Sequence, residues 1–260
     1  MTINQIGEDE AYAIGALLNA PYIDENGSYI FAFNERSEAI GEVARSLAPN
    51  AVLSWRDQDD DAWKKAYEQT FEPIEIGEFR VRPSWREARE GFIDLIVDPE
   101  TAFGTGRHET TASCLEALSR FDLSGKSVLD AGCGSGILAI AAAKKGASVS
   151  LCDADAQAVK VAEKNCALNG VKPAKIWVGS ADKVTTNYDL ITANIVADIL
   201  TAIKGDLLRA LKSGGILIVS GILERFERRF AACYGDLETL FVIKRGEWRT
   251  IAYHNTEKAR

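Results

Sequence analysis

The sequence predicts an α/β fold: a mostly parallel sheet with helices on both faces, behind a small α+β domain. Three observations carry this. Ser127, Val128 and Leu129 end an apolar strand, Asp130–Gly136 turns with glycines at every second position, and Ile137–Ala143 is an unbroken helix former. Strand, glycine turn and helix together open the first crossover of a nucleotide-type sheet. A second short apolar stretch, Ala147–Cys152, follows that helix and ends in Asp153. Further on, Tyr188–Ala193 and Ile216–Ser220 read as buried strands, with a helix over Val196–Leu211 between them.

At 260 residues the chain suffices for one large domain, or for one medium and one small. Its composition, 47% hydrophobic and 26% charged, is that of an ordinary soluble globular protein. No apolar run approaches the ~20 residues of a membrane helix. The opening MTINQIGEDE is polar and acidic, unlike a secretory signal or a transit peptide, so a cytoplasmic protein is expected. The cysteines, Cys114, Cys133, Cys152, Cys166 and Cys233, are scattered with no CxxC pair. They read as buried reduced thiols rather than a disulfide frame or a metal site; for Cys133, in the glycine turn, core filling is the expected role and a reactive thiol the alternative. Two histidines, His108 and His254, make a His-based metal site improbable.

Charge is uneven. Residues 1–100 hold 21 acids and 9 bases, whereas residues 101–260 hold 17 acids and 21 bases. The acidic front disfavours direct nucleic-acid binding. It would attract a basic protein or peptide, and it would equally serve solubility.

Residues 1–56 are expected to form the small α+β domain. Glu8–Leu18 has helical spacing, Ser28–Phe33 is a strand behind an Asn26–Gly27 turn, Ser37–Leu47 is a helix with a capping serine, and Ala51–Trp55 is a second strand. The charged run Asp57–Asp61 marks a boundary. Residues 57–90 are read as a linker. In it Ala62–Phe71 is an amphipathic helix with Trp63, Tyr67 and Phe71 on its packing face, and Glu75–Trp85 alternates like a strand.

Residues 91–260 form the main domain. A strand from Ile93 ends at Asp98–Pro99, a loop carries Phe103–Gly106 and His108, and a helix opens near Thr110 and Thr111, whose hydroxyls would normally be caps. Glu224–Tyr234 is an amphipathic helix. Glu238–Lys244 and Trp248–His254 form a closing hairpin around Arg245–Glu247.

The glycine turn points to a ligand. Dinucleotide sites have G-x-G-x-x-G, with pyrophosphate on the helix end. Here the glycines are Gly132, Gly134 and Gly136, Ile137 replaces the third dinucleotide glycine, and Asp130 ends the strand. A carboxylate there suits a cationic ligand better than a pyrophosphate. D-x-G-x-G-x-G resembles the motif of methyltransferases that use S-adenosylmethionine, whose ligand carries an amino group and a sulfonium. An ordinary glycine-rich strand–helix turn is the plainer alternative. Asp153, 21 residues after Gly132, stands where a carboxylate binds a ribose hydroxyl pair. Asp155 reads as the cap of the next helix.

Taken together, DPETAFGTGRHETT, VLDAGCGSGILAIAA, Asp153–Asp155, TANIV (Thr192–Val196) and SGGILIVSGIL (Ser213–Leu223) resemble the ribosomal protein L-eleven methyltransferase family, bacterial PrmA. The likeness runs from about Asp61 to the C-terminus. It implies a Rossmann-like seven-stranded methyltransferase sheet and S-adenosyl-L-methionine as cofactor. Carried over by motif, the implied cofactor contacts are Thr111, Gly132, Asp153 and Asn194, with Gly134 and Asp130 in the same loop. Asn194 ends a strand at the sheet edge where such folds bind ligands, though a helix cap is its simpler role.

The resemblance also implies a ferredoxin-like substrate domain in front. Before Asp57 the sequence offers room for only part of a βαββαβ unit, with no evident first strand. The implied reaction is N-methylation of lysine, and of α-amino groups, on a basic large-subunit ribosomal protein. A neutral amine would displace the sulfonium methyl in line, so the enzyme chiefly holds the two together. Asn194 could orient the amine, and His108 could help remove a proton. The alternatives are a related methyltransferase with another protein or small-molecule substrate, a nicotinamide dehydrogenase disfavoured by Ile137 and Asp130, and a cofactor-binding module without turnover.

Overall fold

The computed structural model describes residues 1–18, 20, 22–25, 27–31, 33, 37–55, 72–98 and 106–256. These fall into two compact units, divided between Glu72 and Pro73. The charged run Asp57–Asp61 and the expected helix Ala62–Phe71 lie outside the described residues.

The first unit holds β1 (Thr2–Asn4), a helix (Glu8–Leu18), β2 (Tyr22–Glu25), β3 (Ser28–Phe31), a helix (Glu38–Leu47) and β4 (Val52–Ser54). Its sheet is antiparallel in the order β2-β3-β1-β4. That is a complete ferredoxin-like βαββαβ unit, not the partial one expected. β1 was hidden because three residues are too few to display a period of two. β2 was hidden because half of Tyr-Ile-Asp-Glu is acidic. Ile3, Ala11, Ile14, Tyr29, Phe31 and Ala44 fill its core. Ser37 stands at the N-cap position, but its side chain makes no cap bond.

In the second unit, β5 (Ile74–Ile76), β6 (Phe79–Arg82) and β7 (Ile93–Ile96) form a small sheet. Glu75–Trp85 is therefore a hairpin arm and its return rather than one strand. β6 pairs antiparallel with β5 and parallel with β7, so pairing crosses residue 90, where the sequence reading placed a boundary. Asn169 anchors this sheet. Its side chain donates to Ile96 O (2.6 Å) and accepts from Ile96 N (2.8 Å), as a neighbouring strand would.

The large sheet comprises β8 (Ser127–Ala131), β9 (Ser148–Asp153), β10 (Lys175–Val178), β11 (Tyr188–Asn194), β12 (Leu211–Leu223), β13 (Glu238–Arg245) and β14 (Trp248–His254). Their order is β10-β9-β8-β11-β12-β14-β13, and β14 runs antiparallel to both its neighbours. This is the expected Rossmann-like α/β architecture. β10 is the strand that periodicity missed, because none of its four residues is fully buried at the sheet edge. In the central strands alternate residues face opposite layers. Val128, Leu151, Leu190 and Ile218 join one core, and Leu129, Cys152, Ile191 and Leu217 the other.

Three expected elements change. The single helix Val196–Leu211 is two, Ala197–Ala202 and Lys204–Ala210, meeting at Ile203 just before the helix-weakening Gly205. β12 starts at Leu211 and includes Ser213–Gly215, because Leu211 pairs with Tyr188 across an irregular register. Likewise Glu224–Phe226 is a 3₁₀ turn ahead of a helix at Glu227–Cys233.

Candidate functional site

The C-terminal ends of β8, β9 and β11 lie side by side at one edge of the sheet, carrying Asp130, Asp153 and Asn194. The turn after β8 is laid against β9: Gly132 N and Cys133 N both donate to Cys152 O, at 2.8 and 3.0 Å. Gly132 has φ +72°, and a Cβ on it would come to 3.0 Å from Ile195 Cγ2. Only glycine meets both conditions without strain.

Asp153 ties this turn to the next helix. Its Oδ2 accepts from Gly134 N (2.9 Å), and its Oδ1 from Asp155 N (2.9 Å). Asp155 in turn accepts from Gln157 N (2.8 Å), the helix cap expected of it.

Asp130 lies beneath the turn, 1% exposed. Its Oδ1 accepts from the Thr192 hydroxyl (2.7 Å) and its Oδ2 from Ala139 N (3.2 Å). Burial raises its pKa to about 7, and the charge of Asp153 adds to the rise. The carboxyl thus links β8, β11 and the helix Ile137–Lys144.

The helix Glu109–Ser119 brings Thr110 and Thr111, both buried, to the same edge. Asn194 Nδ2 donates to Thr111 Oγ1 (3.3 Å). The helix that follows Asn194 begins at Val196 with no side-chain cap bond, so the contact with Thr111 stands in place of the simpler capping role. The cap of Glu109–Ser119 is His108 rather than a threonine. Its Nδ1 accepts from Thr110 N (3.3 Å) and lies 2.8 Å from Thr110 Oγ1. The His108 ring also meets Trp248 edge-on, with centroids 5.2 Å apart. Phe103–Thr105 of the preceding loop lie outside the described residues.

Cys133 is buried, and desolvation pushes its thiol pKa far up. A protonated thiol is a poor nucleophile, so Cys133 fills the core, as expected, and the reactive alternative is not supported. Burial also raises Cys114, Cys152 and Cys166, each to about 12. No group of three or more potential ligand side chains that could hold a metal ion occurs among the described residues.

Sequence reasoning missed the neighbours of Asn194. Ile195 contacts the position of Gly132 on β8's side and Gly221, within β12, on the other. A glycine inside a strand pattern marks a bulge or a close backbone approach, and that signal was present in Ser220–Gly221.

A family model described as Ribosomal protein L11 methyltransferase (PrmA) matches residues 12–256. The chain belongs to this family.

Among relatives named Ribosomal protein L11 methyltransferase, one from a Nitratiruptor species is 47% identical over 193 residues, 74% of this chain and 69% of its own length. Another from Wolinella succinogenes is 41% identical over 242 residues, 88% of this chain and 87% of its own. The crystal structure of a ribosomal protein L11 methylase from Lactobacillus delbrueckii subsp. bulgaricus matches with a TM-score of 0.67 at 30% identity, over 72% of this chain and all of that one. The L11 methyltransferase match spans both units, including the ferredoxin-like one.

The site fits the S-adenosylmethionine implied for the L11 methyltransferase family. A glycine turn that excludes side chains, a carboxylate at the end of β9 and a polar pair at the end of β11 share one sheet edge.

Proposed function

We propose that this chain transfers the methyl group of S-adenosylmethionine to amino groups of ribosomal protein L11, lysine side chains among them. The observation that carries the reading is the bond between Asn194 and Thr111 beside the glycine turn. It joins two of the motifs on which the resemblance to the family rests. The relatives' names supply L11 as the substrate class. The complete βαββαβ unit supports the ferredoxin-like substrate domain implied for the family. No helix among the described residues is long and apolar enough to cross a membrane, and a cytoplasmic site of action accords with a ribosomal substrate.

When bound, S-adenosylmethionine supplies a methyl group already activated by its sulfonium. The chain's own residues then have three tasks. Gly132 and Gly134 leave room for a ligand against the backbone, and Asp153 is the acceptor for a ribose hydroxyl pair. Asn194, with Nδ2 engaged by Thr111, has Oδ1 as the atom able to accept from a substrate amine. That bond holds the amine's lone pair in position, and such positioning is the main catalytic contribution this chemistry requires. Desolvation at the sheet edge favours the neutral amine. His108 Nδ1 is occupied at the helix start, so we assign it capping rather than proton transfer.

The test is transfer of labelled methyl from S-adenosylmethionine into ribosomal proteins from a strain lacking the enzyme, read by mass spectrometry. Label on L11 amines is expected. Cofactor binding with label on another protein, or on none, would overturn the substrate assignment and leave the fold assignment intact.

A further inference from the structure

We propose that Gly221 is a positioning residue for the Asn194–Ile195 segment, acting through a bulge in β12 rather than through contact with substrate. The inference rests on the reading of Asn194 given above.

β12 and β14 lose register between Val219 and Ile222. Val219 pairs with Ile251 and Ile222 with Arg249, so Ser220 and Gly221 together oppose Thr250 alone. Two residues against one is a β-bulge, a device that bends a strand and re-aims what lies beside it. The Ser220 and Thr250 hydroxyls, both buried, are 2.6 Å apart and hold the bulge closed. Gly221 takes φ +84° there.

The bulge lies where the neighbouring strand ends. Asn194 pairs with Ser220 in the parallel β11–β12 ladder, so the next residue of each strand, Ile195 and Gly221, meet at the sheet edge. A Cβ on Gly221 would be 2.4 Å from Ile195 O, 2.8 Å from Ile195 C and 3.3 Å from Val196 N. These are backbone atoms, so no side-chain rotation relieves the overlap. On the other flank, a Cβ on Gly132 would already touch Ile195 Cγ2 at 3.0 Å. Ile195 therefore sits in a slot bounded by two glycines, one in the turn after β8 and one within β12. A Cβ on Gly221 presses on the Ile195–Val196 peptide, the one next to Asn194.

The experiment compares four single variants of the full chain by cofactor dissociation constant, kcat, KM and thermal midpoint. Gly221→Ala adds both the Cβ and backbone strain. Gly221→Asn adds the same Cβ on a residue that tolerates positive φ. Gly214→Ala, at φ +72° in the same strand with nothing within 4 Å, adds strain alone. Asn194→Ala tests the underlying reading. We expect both Gly221 variants to lose at least about tenfold in kcat/KM, the scale on which a displaced positioning group acts. Their thermal midpoints should fall further than that of Gly214→Ala, because the overlap adds to the strain. Assayed well below those midpoints, the loss is expected in kcat, while Gly214→Ala keeps the parent's kcat. Full activity in Gly221→Asn would show that only strain matters and overturn the proposal. Unchanged activity in Asn194→Ala would instead sink the reading of the site on which it rests.

Discussion

Asn194 Nδ2 and Thr111 Oγ1 are 3.3 Å apart, joining residues 83 positions apart in sequence. The bond fixes the carboxamide's orientation by occupying its donor face. Thr111 is held by a helix that packs on β12 and β14, so the bond also registers that helix against the end of β11.

Replacing Thr111 by valine keeps the shape and removes the acceptor. Cofactor binding should weaken by about 1 kcal/mol, the net value of a neutral hydrogen bond, while Thr111→Ser should stay close to the parent. Titration calorimetry decides this. Equal affinities for valine and parent would separate the two residues functionally.

Asp153 has two tasks in this structure, since its oxygens also organise Gly134 and Asp155. Asp153→Ala should therefore cost more than about 1 kcal/mol of cofactor affinity. It should also lower the thermal midpoint of the ligand-free chain. An unaltered dissociation constant would take Asp153 out of the site.

Gly136 has φ +79°, and a Cβ there would lie 3.1 Å from Ala162 Cβ and 3.3 Å from Ala162 Cα. Gly136→Ala should destabilise the chain by about 1–3 kcal/mol through backbone strain. The overlap adds to this by pressing two helices apart. A urea denaturation midpoint equal to the parent's would refute the close packing.

Asp130 gives a pH dependence of stated sign. Its pKa in the folded chain is raised from 3.8 to about 7. Between those values the folded chain holds a proton that the unfolded chain has released, so rising pH costs stability across that window and no more beyond it. Asp130→Asn can still accept from Ala139 N and donate to Thr192, and it cannot ionise. Denaturation of ligand-free protein through the window should show a slope in the parent that is flattened in the variant. Parallel profiles would mean that Asp130 titrates normally.

The main sheet was legible in the sequence because its strands are short apolar runs punctuated by glycine and acid. Asp130, Gly132, Gly134 and Asp153 could be named because turn and strand end are local and each residue type has a local reason. Asp155 as a cap followed from the same logic. β10 and β1 escaped because an edge strand and a three-residue strand carry too little hydrophobic pattern. Side-chain preference favours the threonines at the start of Glu109–Ser119 as caps, yet His108 holds the position.

What the sequence determined by itself was therefore the set of strands with strong local pattern, the glycine turn and the motif residues of the family. What only the tertiary structure decided was adjacency. Pairing of β1 with β3 and β4 completed the front unit, and placing β11 between β8 and β12 put Ile195 between Gly132 and Gly221. Local pattern reports which residues seek burial or a turn. Which distant backbones then come close enough to exclude a single Cβ is set by sheet order and register, a property of the packed whole.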